Sequence, residues 1–149
     1  MKRLLILLGV AAALSTTTTS FIPRQEDPWK VPEKYKKLKN PVVPDEASVK
    51  FGGELYESYC SSCHGMNGKG AGRRSDKLDA KPTDFTSDAF QQQSDGELLY
   101  KIYFGHKDMP GFKKKIPGNE DVIGGTFGKT RVPGDLINYI RTYAKKSQH

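Results

Sequence analysis

The amino-acid sequence predicts an all-α domain in which a few short helices are joined by long glycine-rich loops. Apolar residues recur at helical spacing near residues 45–60, 94–104 and 136–146, and no segment shows the clear alternation typical of a strand. Loops of this length usually signal disorder or function. The whole chain is only 36% apolar, and this share falls further without the apolar N-terminus. We therefore expect a bound group to fill part of the interior.

The length and composition suit one domain of about 100 residues and exclude a multidomain enzyme or a polytopic membrane protein. We divide the chain into a signal peptide at residues 1–20, an extended arm at residues 21–44 and one domain at residues 45–146. The formal net charge of +7 makes the protein basic. Nucleic acid is not the expected partner, because no recognised binding motif accompanies the charge.

Residues 1–20 have the order of a secretory signal peptide: a short basic start, an apolar run to Leu14 and small polar residues to Ser20. A helix over the apolar run would span about half of a bilayer, so an uncleaved anchor is not expected. Cleavage is expected after Ser20, or alternatively after Ala13. The mature protein should be periplasmic or otherwise extracytoplasmic, either free or associated with a membrane complex.

The arm at residues 21–44 holds five of the nine prolines and several lysines, so it should not sustain a long helix. Trp29 and Tyr35 could pin it to a surface. A flexible linker, a strap against the domain and a docking segment for a partner all remain open from the sequence.

Local signals place the helices of the domain. Ser94 and Glu97 form a capping-box pattern before an apolar stripe, and Gly105 is a natural stop. In the first helix, Gly52 and Gly53 lower the intrinsic helix stability by about 1 kcal/mol each. Close approach of another element would explain these two glycines.

The only two cysteines lie in Cys60-Ser61-Ser62-Cys63-His64, which fits the C-x-x-C-H pattern of haem attachment. Thiols at this spacing share one helical turn and can both reach the vinyl groups at one edge of a porphyrin, which directs the following imidazole to the iron. A disulfide would close a very short loop, a thioredoxin-like pair lacks its βαβ context, and a zinc site lacks ligands. The sequence predicts one covalent haem c.

The second axial position has two candidate ligands, Met109 and His106. Met66 is too close to His64 to reach the opposite face of a porphyrin. Met109 is followed by Pro110 in a glycine-rich loop, which is a poor place for a core methionine, and methionine is a usual ligand in cytochromes c. We favour Met109, with His106 as the rival.

With these residues, the sequence resembles the class I mono-haem cytochrome c family from about Val49 to Tyr143. The resemblance rests on four segments: Gly52-x-x-x-Tyr56-x-x-x-Cys60-x-x-Cys63-His64-Gly65, Gly68-x-Gly70-x-Gly72, Gly105-x-x-x-Met109-Pro110 and Tyr139-Ile140-Arg141. It implies the all-α cytochrome c fold, with short helices and long glycine-rich loops around one covalent haem. The implied thioether links are at Cys60 and Cys63, and the implied axial iron ligands are His64 and Met109.

The resemblance has further structural implications. The first and last helices should cross near Gly52, with Tyr139 or Ile140 packed against it. A proline carbonyl, best placed at Pro82, should accept the ring N–H of the proximal histidine. The stretch between Lys113 and Pro133 is longer than is usual in the family and suggests a surface flap.

The expected function is one-electron transfer between redox proteins, with no catalytic residue. Alternatives are a catalytic or sensing haem protein with a displaceable sixth ligand, and a fixed cytochrome subunit of a larger respiratory or dehydrogenase complex. A basic rim could steer an acidic partner. Its members lie in loops expected around the haem: Lys69, Arg73, Arg74, Lys77, Lys107, Lys113, Lys114 and Lys115.

Overall fold

The computed structural model describes residues 29–115 and 131–144. The predictions for the signal peptide, for residues 21–28, for most of the flap and for the end of the last helix lie outside the described residues. The described helices are α1 Glu33–Lys36, α2 Glu46–Tyr59, α3 Ser61–His64, α4 Asp88–Gln91, α5 Asp95–Phe104 and α6 Val132–Arg141, with a 3₁₀ turn at Ser75–Lys77.

The all-α fold is confirmed. Within the two described ranges the chain forms no strand, and the one β-type pairing is a bridge between His106 and Met109. In the same ranges, every helix is too short or too polar to cross a membrane.

Helices α2 and α6 cross at close range and form the largest helix contact of the described domain. The Asp45 carboxylate starts α2 by accepting the backbone N–H of Ser48 at 2.8 Å. A Cβ atom on Gly52 would overlap the carbonyl oxygen of Asp135 and would lie 2.9 Å from the Cβ atom of Tyr139. The predicted contact with Tyr139 is confirmed, and the backbone of Asp135 comes closer still.

Helix α5 begins with the predicted capping box. The Ser94 hydroxyl accepts the Glu97 N–H at 3.2 Å, and the Glu97 carboxylate accepts the Ser94 N–H at 2.7 Å. The helix ends at Gly105, which has a φ of 68°. Arg141 then joins α6 to α5 through its guanidinium, which donates to the Asp95 carboxylate at 2.7 Å.

The core lies between α2, α5 and α6 and is rich in aromatic rings. Its buried members are Leu55, Tyr56, Phe85, Phe90, Leu98, Leu99, Ile102, Tyr103, Phe112, Leu136, Ile137, Ile140 and Tyr143. The last helix starts earlier than its apolar stripe predicts, because Pro133, assigned to the preceding loop, lies in its first turn.

We call residues 29–44 the strap, because they lie against the domain. The strap is not extended throughout, since Glu33–Lys36 forms one helical turn. Tyr35 is buried, and its carbonyl oxygen is so close to α5 that a Cβ atom on Gly96 would overlap it. The Asn40 amide donates to the carbonyl oxygen of Gly134 at 2.9 Å and to the Asn138 side chain at 2.8 Å.

Candidate functional site

A pocket that is partly open to solvent lies between the C-x-x-C-H turn and α5. His64 and Met109 both line it, although 45 positions separate them in the sequence. Most of the remaining lining is apolar or aromatic. The full lining consists of Trp29, His64, Thr83, Phe85, Phe90, Gln93, Leu98, Lys101, Ile102 and Met109.

The two cysteines and the histidine of the motif share one helical turn directly after α2. The backbone N–H groups of Cys63 and His64 both donate to the carbonyl oxygen of Cys60, at 3.1 and 3.0 Å. Both cysteines are free thiols, so the disulfide alternative is not observed. Burial, together with the nearby Cys63, raises the pKa of the Cys60 thiol to about 12.

The His64 ring is fixed from two directions. It stacks on Phe85 with ring centroids 4.3 Å apart and planes 21° apart, and its Nδ1 atom lies 3.5 Å from the carbonyl oxygen of Thr83. A proton held on Nδ1 leaves the lone pair of Nε2 available to a metal. Burial lowers the pKa of His64, which favours the neutral imidazole that metals bind.

The prediction that Pro82 supplies this carbonyl was wrong by one residue. The carbonyl of Pro82 faces the glycine-rich loop instead, where a Cβ atom on Gly70 would overlap it. Gly70 also has a φ of 74°, a conformation that disfavours any residue with a side chain. Tight packing of this loop therefore leaves Thr83 to face the imidazole.

Two buried tyrosines support the loop that follows His64. The Tyr56 hydroxyl donates to the carbonyl oxygen of Gly65 at 2.7 Å, and the Tyr143 hydroxyl donates to that of Met66 at 2.9 Å. Burial raises the pKa of both tyrosines well above the ordinary value, so both remain donors. We call residues 60–72, with Thr83, Phe85 and these two tyrosines, the His64 side of the pocket.

The opposite wall contains a tight turn. The N–H of His106 donates to the carbonyl oxygen of Met109 at 2.8 Å, and the N–H of Met109 donates to that of His106 at 3.0 Å. Lys107 has a φ of 49° inside this turn. The Asp108 carboxylate ties the turn to a second loop by accepting the N–H of Asp79 at 2.9 Å. We call this turn, with Trp29 and Lys101, the Met109 side.

The structure places the two rival ligands differently. Met109 is half-buried and lines the pocket, whereas His106 does not line it and has its ring centroid 5.1 Å from that of Trp29. Sequence reasoning did not find Trp29 as a pocket residue. Nothing in the local pattern around Trp29 marks it, because its contacts come from distant parts of the chain.

The donor set fits a haem c. An imidazole and a thioether line the same pocket, its walls are apolar at Phe90, Leu98 and Ile102, and two thiols lie on the turn that holds His64. Where the chain is described, no three His, Cys, Asp or Glu side chains converge as they would around a bound metal ion, which argues against a zinc site there.

The predicted basic residues around these loops are all exposed. Two of them lie over aromatic rings, with the Lys113 amine 5.4 Å from the ring centroid of Tyr103 and the Lys115 amine 5.8 Å from that of Phe112. The complete set is Lys69, Arg73, Arg74, Lys77, Lys107, Lys113, Lys114 and Lys115.

An all-α domain that brings a C-x-x-C-H turn and a methionine to one apolar pocket is of the cytochrome c class. A family model described as cytochrome c oxidase, cbb3-type, subunit III matches residues 47–122, about half of the chain. The chain belongs to this family of cytochrome c domains, for which haem c is the implied cofactor. Among curated proteins, no relative matches the chain.

A solved structure shares the fold. It is a chain of the Kuenenia stuttgartiensis reducing HAO-like protein complex Kustc0457/Kustc0458, with 24% sequence identity and a TM-score of 0.55. The alignment covers 69% of this chain and 46% of that chain, so this protein spans less than half the length of its structural neighbour.

Proposed function

We propose that the protein is an exported mono-haem cytochrome c of the class I type that carries single electrons between redox partners. In this proposal Cys60 and Cys63 form the thioether links, and His64 and Met109 are the axial ligands. The observation that carries it is the presence of His64 and Met109 in one apolar pocket, with both thiols on the turn that holds His64.

Bound in this pocket, haem c would supply an iron that alternates between the ferric and ferrous states. The chain keeps the donors in place: Phe85 and Thr83 orient the imidazole, and the closed turn holds the thioether. The apolar walls would limit the contact of the haem with water and, with methionine as a soft ligand, would favour a higher reduction potential than two histidines would. With His64 and Met109 both bound to the iron, no coordination position would be left for a substrate, which supports a carrier over an enzyme.

The partner is proposed to be an acidic redox protein. The exposed lysines and arginines in the loops that follow the motif and flank the Met109 turn in the chain would speed a weak and short-lived encounter with such a surface. Export is supported by the signal-peptide pattern in residues 1–20 and by the haem-attachment motif, since attachment takes place outside the cytoplasm.

A second arrangement is a cytochrome subunit fixed in a larger oxidoreductase complex. The family match and the source of the structural neighbour support this arrangement, because both names refer to multi-subunit redox proteins. Purification of the tagged chain in mild detergent distinguishes the two. Co-migration with a stoichiometric oxidoreductase supports the subunit, and recovery as a free monomer in the soluble extracytoplasmic fraction supports the carrier.

The central test is an absorption spectrum of the exported, matured full chain in both redox states, before and after denaturation. We expect haem that stays on the denatured chain and is low-spin in the folded protein. Met109→Ala should retain covalent haem and bind carbon monoxide when reduced, at least tenfold more tightly than the wild type, or about 1.4 kcal/mol.

The matched control is Met66→Ala, which removes an exposed methionine next to the motif. It should leave the spectrum and the carbon monoxide affinity unchanged. Haem that separates from the denatured wild-type chain would contradict covalent attachment, and a Met109→Ala spectrum identical to that of the wild type would contradict methionine ligation.

A further inference from the structure

We propose that Trp29 is a positioning residue that holds the His106–Met109 turn against the pocket and closes this side to outside ligands. The inference rests on the proposed ligation by His64 and Met109. It assigns a function to the strap, which the motif and the family resemblance leave without one.

Trp29 lies between α5 and the turn. Its side chain lines the pocket together with Met109, and its ring centroid is 5.1 Å from that of His106 at an interplanar angle of 43°. The Lys101 amine, on α5, lies 5.6 Å from the Trp29 ring centroid. Lys101 is itself held by its hydrogen bond to the Gln93 side chain at 2.5 Å.

The backbone of the turn couples the position of Met109 to that of His106. Two backbone hydrogen bonds, at 2.8 and 3.0 Å, close the four residues into one unit, so the two side chains move together. The Nε2 atom of His106 is buried and has no hydrogen-bond partner in the described part of the chain. Its ring is therefore placed by packing against Trp29 and not by a hydrogen bond at that atom.

The strap gives Trp29 a fixed base. Two residues further along, Val31 is buried, and Tyr35 is buried against α5 with its backbone in direct contact with Gly96. Asn40 fastens the far end of the strap to α6. Trp29 thus extends from an anchored segment, as expected for a side chain that holds a loop in one position.

Removal of the Trp29 ring should free the turn without removing any proposed iron ligand. The Met109-bound arrangement then becomes less favourable relative to an open one, and an outside ligand binds in proportion to the open fraction. Loss of an aromatic contact and a cation–π contact should raise the carbon monoxide affinity of the reduced Trp29→Ala protein about tenfold, or about 1.4 kcal/mol. The reduction potential should fall at the same time.

The experiment uses the haem-loaded full chain and measures carbon monoxide affinity, reduction potential and the methionine-to-iron charge-transfer absorption. Trp29→Phe keeps an aromatic ring over His106 and should stay within about threefold of the wild type. The matched control is Phe104→Ala, which removes an exposed ring that packs on Tyr35 of the strap but does not line the pocket. This control should leave the three readouts unchanged.

A double-mutant comparison tests whether Trp29 acts on Met109 through its contact with His106. With His106→Ala already present, Trp29→Ala should add little, because its effect passes through the lost stacking contact. If Trp29→Ala does not accumulate, Trp29→Leu removes the aromatic stacking while it keeps bulk, and it carries the same expectation.

Failure of this inference is distinguishable from failure of the proposed function. If the wild type resists carbon monoxide, Met109→Ala binds it and Trp29→Ala still resists it, the role of Trp29 is refuted and the ligation stands. If the reduced wild type itself binds carbon monoxide as tightly as Met109→Ala, methionine ligation is refuted, and the inference falls with it.

Discussion

The His64 side of the pocket is held mainly by backbone hydrogen bonds and buried rings. The N–H groups of Gly70 and Gly72 donate to the carbonyl oxygens of His64 and Cys63 at 2.9 and 3.0 Å. The turn on the Met109 side is closed by two backbone hydrogen bonds, but side-chain contacts of exposed Asp108 and of Trp29 fasten it to other parts of the chain.

We therefore expect the two sides to control different properties: the stability of the fold on the His64 side, and the access of outside ligands to the pocket on the Met109 side. Buried backbone hydrogen bonds are costly to break, so changes on the His64 side should mostly unfold the protein. Half-exposed contacts contribute less to stability, so changes on the Met109 side should mostly alter how readily the turn opens.

The largest expected effect is that of Gly70→Ala, on the His64 side. The substitution adds a methyl group against the Pro82 carbonyl at a residue with a φ of 74°, and it should lower the free energy of unfolding by about 3 kcal/mol. Denaturant unfolding of the haem-loaded protein measures this. The adjacent exposed Ala71→Gly is the control, with an expected change below about 1 kcal/mol. Equal effects at both positions would mean that the loop is not tightly packed.

A smaller loss of stability is expected from Tyr56→Phe. It leaves the Gly65 carbonyl without its buried donor and should cost about 1–2 kcal/mol with little change in carbon monoxide affinity. Chemical denaturation and ligand titration of the same preparation test both halves of this expectation. A large gain in carbon monoxide affinity with unchanged stability would contradict the expectation that the His64 side mainly controls the stability of the fold.

Asp108→Ala should show the opposite balance on the Met109 side. Because the carboxylate is exposed, its loss should cost no more than about 1 kcal/mol of stability. The freed turn should nevertheless bind carbon monoxide severalfold more tightly. Asp79→Ala is the matched control, because it removes a neighbouring carboxylate and keeps the backbone N–H that Asp108 accepts. A loss of stability without any change in ligand affinity would contradict the distinction between the two sides.

The smallest expected effect concerns the stability of the protein at acidic pH, through Asp84, which lies in the chain between Thr83 and Phe85 of the His64 side. The Thr86 hydroxyl, which donates to Asp84 at 2.7 Å, lowers the pKa of that carboxyl below its ordinary value of 3.8, with help from Lys69 and Lys81. The folded pKa is the lower one, so this contribution is present above about pH 4 and is lost as pH falls through the folded pKa.

Thr86→Val should therefore cost about 0.5 kcal/mol at pH 7, a value reduced for solvent screening, and less at pH 3. Unfolding midpoints of the two proteins at both pH values provide the measurement. A difference that grows on acidification would show that the Asp84 carboxylate is not stabilised by this hydroxyl.

The parts of the fold that could be predicted are those specified by neighbouring residues. The capping box at Ser94 and the stop at Gly105 depend on a few adjacent positions, and both are found where the sequence places them. The one-turn helix α4 was missed, although Ser87 caps it by accepting the Phe90 N–H, because it lies in a stretch with little periodicity.

The missed features of the site depend on the path of the backbone. Pro82 and Thr83 each carry a carbonyl group, and only the conformation of their loop decides which one faces His64. The rings of Trp29 and His106 are in contact because the strap packs against α5. No sequence pattern near either residue predicts this contact.

The contact between α2 and α6 has a consequence for the order of maturation. Helix α6 comes long after α2 in the chain, so α2 cannot acquire its main packing partner until α6 has been synthesised. The cysteines directly after α2 emerge much earlier. If the haem is attached covalently as we propose, both thiols are accessible before α6 is in place, and closure of the domain can then follow attachment of the cofactor.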